Sequence, residues 1–74
     1  MSDNVSTLGD RIRRLRTDQQ LSQQDLADRV GVRQSAISAF EAGEKMPRVE
    51  TLQRLAAALG VSTSVLLDSE EVSL

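Results

Sequence analysis

The sequence contains no cysteine and no histidine. Disulfide staples and thiolate ligands are thereby excluded, and so are the commonest metal ligand and the commonest acid-base catalyst at neutral pH. Tryptophan and tyrosine are absent too, and there is one phenylalanine and one proline. Strand evidence is nearly missing, because no run alternates and helix formers (Ala, Leu, Gln, Arg) recur throughout. No apolar run approaches the ~20 residues needed to span a bilayer. The start MSDNVST has no positive segment followed by an apolar core, so it does not read as a secretory signal, and the default location is cytoplasmic. Carboxylates, hydroxyls and Lys/Arg are what remain for chemistry, with no Gly-rich phosphate loop or clustered carboxylate pair to organise them. The expectation is a binding module and not an enzyme, with no cofactor and no metal.

At 74 residues the chain reads as one domain, near the size at which a single core is marginal without a staple or a partner subunit. Its charge is unevenly placed. The total is −2, yet all nine Lys and Arg fall between Arg11 and Arg54, where six acidic residues leave +3. Asp3, Asp10, Asp68, Glu70 and Glu71 make the ends acidic. A mildly basic middle is compatible with a local positive face for nucleic acid.

Helical period places five helices in a core of about residues 8–67, with 1–6 and 68–74 as flexible termini. The first runs from about Leu8 to Gln19, with Thr7 and Asp10 as a capping pair and Leu8, Ile12 and Leu15 inward. Arg11, Arg13, Arg14 and Arg16 occupy its other faces. Ser22 with Asp25 starts a second helix that buries Leu26, Ala27 and Val30 and stops at Gly31. The third begins near Arg33 or Gln34, buries Ile37 and Phe40, and stops at Gly43. After the connector EKMPR, a fourth runs from about Val49 to Leu59 with Leu52, Leu55, Ala56 and Leu59 inward, and Ser62 caps a short fifth ending near Leu67.

The second and third helices meet at Gly31 with almost nothing between them. Two helices joined so tightly pack only if the residues at their crossing are small and the chain can turn left-handed at the bend, which Ala27 and Gly31 allow. Leu26, Val30, Val32, Ile37 and Phe40 then share one side of the corner. Arg33, Gln34, Ser35, Ser38 and Ala39 lie on the other. This is a helix-turn-helix pattern.

The segments LGDRIRRLR, LSQQDLADRVGV, AIS.FEAG, P..ETLQRLAAALGVS and LL together resemble the Cro/C1-type helix-turn-helix family, also called the xenobiotic-response-element family, which includes the lambdoid phage repressors. The resemblance covers roughly Leu8 to Leu67. It implies an all-α, five-helix, lambda-repressor-like DNA-binding domain that regulates transcription, usually as a homodimer on a roughly palindromic operator. It assigns the helix from about Gln34 to Glu41 to the major groove, where Arg33, Gln34, Ser35, Ser38 and Ala39 are candidate base contacts. A Gln amide can donate to and accept from adenine together, Ser reaches a base or a phosphate, and Ala offers only a methyl. Arg33 departs from the Ser or Thr that commonly caps the family's helix here, and its guanidinium can take guanine or a phosphate. Gln23, Lys45 and Arg48 match phosphate-contacting positions. Arg16 matches an arginine that pairs internally with the counterpart of Glu41. Arg11, Arg13 and Arg14 read first as a solvated face.

Val65, Leu66, Leu67 and Val72 suggest an apolar patch that a second subunit covers, although Leu66 and Leu67 could instead close the monomer core. Two half-sites about 34 Å apart would then be read, by a repressor from the family's habit. The other reading is a protein-interaction module of the same fold, such as an antitoxin or a regulator antagonist, with RNA polymerase or a toxin as protein partner.

Overall fold

Thr7 and Ser22 start the first two helices by the same device. The Thr7 hydroxyl accepts from the Asp10 N–H at 3.1 Å while the Asp10 carboxylate accepts from the Thr7 N–H. Ser22 and Asp25 repeat this reciprocal pair at 2.9 Å in both directions. Each pair satisfies two donors that a helix start otherwise leaves open. The computed structural model describes residues 7–67, so Val72 and the stretches 1–6 and 68–74 lie outside the described residues. Within them, α1 spans Leu8–Asp18, α2 Gln23–Val30, α3 Gln34–Ala42, α4 Val49–Leu59 and α5 Thr63–Leu67, with no strand among the described residues. Over the described residues the fold is all-α and five-helical, as expected.

The ends of the helices differ slightly from the sequence reading. Helix α1 stops at Asp18, and Gln19 is its C-cap, not its last residue. The turn is made by Gln20 at φ 59°, a left-handed position filled without glycine, while the Leu21 N–H donates to the Arg16 carbonyl at 3.0 Å. Freed from the helix, Gln19 donates its side-chain amide to the Leu59 carbonyl at 2.7 Å and so caps the last turn of α4. Ser62 directly precedes α5, but its hydroxyl pairs with the Ser64 hydroxyl at 2.8 Å.

The core consists of Ile12 from α1, Leu26, Ala27 and Val30 from α2, Ile37 and Phe40 from α3, Leu52, Leu55, Ala56 and Leu59 from α4, and Leu66 from α5. Leu8, Leu15 and Val32 pack against its edge. Helix α3 lies against both α1 and α2, α4 packs on α2, and α5 closes the space between α4 and α1. At the α1–α3 crossing, Gly9 leaves no room for a side chain: a β-carbon there would sit 2.5 Å from the carbonyl oxygens of Phe40 and Glu41. The sequence reading gave Gly9 no role. Its bare backbone sets how close α1 comes to the third helix.

Leu66 is 0% exposed. As part of the monomer core it has no surface to offer a second subunit, which corrects its assignment to a dimer patch. Val65 and Leu67, at 45% and 52% exposed, are the outward apolar side chains of α5.

Candidate nucleic-acid interface

The corner between α2 and α3 fixes the site. Gly31 takes φ 84°, a left-handed conformation costly for any residue with a β-carbon, and its N–H and that of Val32 both donate to the Ala27 carbonyl, at 2.8 and 3.0 Å. The chain then turns at Arg33 into α3. Ala27 is fully buried beneath this turn, so the two helices meet with no large side chain between them. The geometry follows from two small residues four positions apart.

Arg33, Gln34, Ser35 and Ser38 are exposed and Ala39 is half-buried, all on the side of α3 away from Ile37 and Phe40. Arg33 is the N-cap residue with φ −78° and makes no side-chain cap. The helix nevertheless starts in register, because the Arg33 carbonyl accepts from the Ala36 N–H at 2.9 Å. Its first turn carries no acidic residue, whereas α1, α2 and α4 have Asp10, Asp25 and Glu50 there. The positive end of the α3 dipole therefore meets no carboxylate of its own helix.

Behind Gln34 runs a chain of polar contacts reaching into the fold. The Gln34 side-chain amide donates to the Gln23 Oε1 at 2.6 Å, and the Gln23 Nε2 donates to the Glu41 Oε1 at 3.1 Å. Glu41 is held in turn by Arg16, through Nε to Oε2 at 2.6 Å and Nη2 to Oε1 at 3.1 Å. Arg16 also donates Nη1 to the Leu21 carbonyl at 2.7 Å. Both ionised side chains are mostly enclosed, at 12% and 6% exposed, so this two-pronged pair is shielded from water and salt. It is the internal pair that the resemblance implied. Its extension is not legible in the sequence: Gln23, which the resemblance matches to a phosphate-contacting position, bridges Glu41 and Gln34.

The hydrogen count matters here. A primary amide has two N–H donors and one oxygen, and Gln34 uses a single N–H on Gln23. One donor and the acceptor oxygen remain, which is the pair adenine's N7 and N6 require. Gln23 likewise keeps one N–H beyond its bond to Glu41.

Lys45 and Arg48 are exposed in the connector and, with Ala36 and Phe40 of α3 and Thr51 of α4, line a groove of about 430 Å³. Arg11, read as part of a solvated face, is instead half-buried and donates to the Leu66 carbonyl at 3.2 Å. Among the described residues no three carboxylates cluster as a metal site would need. No helix among them is long and apolar enough to cross a membrane.

Residues 12–66 match the helix-turn-helix family model. The chain belongs to that family. It is 39% identical over 59 residues to an SPbeta prophage-derived HTH-type transcriptional regulator, YonR, of Bacillus subtilis, which covers 80% of this chain and 55% of the relative. It is also 39% identical over 67 residues to antitoxin HigA1 of Mycobacterium tuberculosis, covering 90% of this chain and 45% of that one. The chain thus spans about half the length of the curated relatives it matches. Among solved structures it is similar to the P22 c2 repressor in complex with a synthetic operator, at TM-score 0.82 and 38% identity over 86% of this chain and 97% of that one.

Proposed function

We propose that this chain is a sequence-specific double-stranded DNA-binding regulator of transcription, a repressor that sets α3 in the major groove of a palindromic operator as a homodimer. The observation that carries the reading is Gln34, exposed at the start of α3 and oriented by Gln23, Glu41 and Arg16 with one donor and one acceptor unspent. Orientation before binding removes part of the entropy cost of fixing a flexible side chain against a base. The similarity to a repressor held on its operator supports the same placement. Gln23, Lys45 and Arg48 then take backbone phosphates, and the outward Val65 and Leu67 supply apolar surface for the second subunit. The work is binding and not catalysis, and it is done in the cytoplasm.

Selection from a random duplex library tests this. The expected result is an enriched palindrome with half-site centres about one helical turn apart, bound about tenfold or more weakly by Gln34→Ala, in line with roughly 1–3 kcal/mol per bidentate base contact. A library that yields no enriched sequence at low salt would overturn the reading.

The similarity to an antitoxin favours one second reading, a protein-interaction module of the same fold that neutralises a protein partner. Stoichiometric co-purification with such a partner, with no retardation of DNA at low salt, would replace the first reading by this one.

A further inference from the structure

We propose that Arg13 grips a DNA backbone phosphate, completing with Gln23 and Ser38 an anion cleft on the α1 side of the reading helix; this rests on the DNA-binding reading above. The four arginines of α1 fall into separate settings. Arg16 is committed to Glu41, and Arg11 donates to the Leu66 carbonyl. Arg14 lies with Leu15 and Val65, toward α5. Arg13 instead lines a cleft of about 270 Å³ together with Arg16, Gln23, Ser38, Glu41 and Ala42, so it stands between α1, the start of α2 and the middle of α3.

The electrostatics of that cleft are simple. Arg16 and Glu41 cancel one another, and Arg13 is exposed and makes no hydrogen bond or ion pair with the described residues. The cleft is left with one positive charge from Arg13. Its remaining polar groups are the spare amide N–H of Gln23 and the hydroxyl of Ser38, two further donors contributed by two other helices. A guanidinium fork with an amide and a hydroxyl beside it suits an anion that presents several oxygens in one plane or pyramid, as a phosphodiester does. Gln23 is one hydrogen bond from Gln34. An anion in the cleft is therefore adjacent to the base-reading side chain, where a duplex entering against α3 brings its backbone. Residue type and spacing do not separate Arg13 from Arg14, since both are exposed arginines of one helix; the packing of α1 on α3 does.

The test measures binding over a salt series, using a selected operator duplex and a scrambled duplex, for the full chain and for Arg13→Gln, Arg13→Lys and Arg14→Gln. Circular dichroism checks that each variant keeps its helices. Arg13→Gln should weaken both duplexes by the same factor, close to tenfold at ~0.1 M salt, and flatten the slope of log K against log salt by about 0.9, the share of one phosphate contact. Arg13→Lys should keep the slope, and Arg14→Gln should leave it as in the parent chain. The assignment is overturned by an unchanged slope in Arg13→Gln, by a loss confined to the operator duplex, or by an equal loss in Arg14→Gln. A parent chain that binds neither duplex at low salt would overturn the DNA reading itself, whereas a parent that binds both, with Arg13→Gln indistinguishable from it, would overturn only the role of Arg13.

Discussion

A methyl group added at Gly9 meets two carbonyl oxygens of α3 at 2.5 Å, closer than real side-chain carbons come. Helix propensity alone would reward Gly9→Ala by about 0.8–1.0 kcal/mol. The clash is with backbone and cannot be relieved by a rotamer, so overpacking of about 1–3 kcal/mol should prevail. The expected outcome is a lower melting temperature, by about 4–8 °C for each kcal/mol of net loss in a domain this small. Melting followed by circular dichroism checks it, and a melting temperature raised by the substitution would show that α1 and α3 can part freely. Glu41→Gln is the second residue to try. It keeps the shape of the side chain but leaves the enclosed Arg16 without its counter-charge, at a cost on the order of 3 kcal/mol. Because Glu41 also holds Gln23, the same variant should bind the selected operator more weakly even well below its melting temperature. Unchanged operator affinity in the folded variant would show that the contacts from Glu41 to Gln34 do not orient the reading side chain.

The helices divide according to how openly their ends are written. Thr7 with Asp10 and Ser22 with Asp25 mark the starts of α1 and α2 by residue type alone, and both pairs form. Gly31, Gly43 and Gly60 mark three ends in the same way. The end of α1 was less legible, since Gln20 takes a left-handed turn that its type does not advertise. The candidate reading residues could be named because the corner dictates which face of α3 points outward. The bridge at Gln23, the carbonyl contact of Arg11 and the setting of Arg13 could not, because each depends on side chains of different helices meeting across the packed interface. Capping also makes a pH prediction. The backbone N–H and hydroxyl of Ser22, with Arg29 nearby, favour the ionised form of Asp25 and lower its pKa from the ordinary 3.8. A lowered folded-state pKa means stabilisation that is fully present above about pH 4 and is lost as pH falls through the folded-state value. Asp25→Asn should therefore melt below the parent chain at neutral pH and converge with it in acid. A gap of constant size from pH 7 to below pH 3 would contradict this origin.

At the scale of the whole molecule, the proposed homodimer raises the question of how one small domain would reach two half-sites. Leu66 is spent on closing the core, so the apolar surface of α5 reduces to Val65 and Leu67 among the described residues. If these side chains carry the second subunit, Val65→Asp should shift the chain toward monomer in sedimentation while leaving its thermal unfolding nearly unchanged. Binding to the palindrome should then fall toward that of a single half-site. A dimer that survives the substitution would move the interface elsewhere. Another consequence lies in the division of labour across α3. On the proposed DNA-binding reading, Arg33 and Ser35, which contribute nothing to the core, can be exchanged to recognise other operators without a loss of stability. Gln34 is different, being tied through Gln23 and Glu41 to the arginine that holds α1 against α3. On that reading, variation in what the protein recognises is cheap at Arg33 and Ser35 and constrained at Gln34, which predicts that lineages diverging from this sequence retain whatever base contact Gln34 makes.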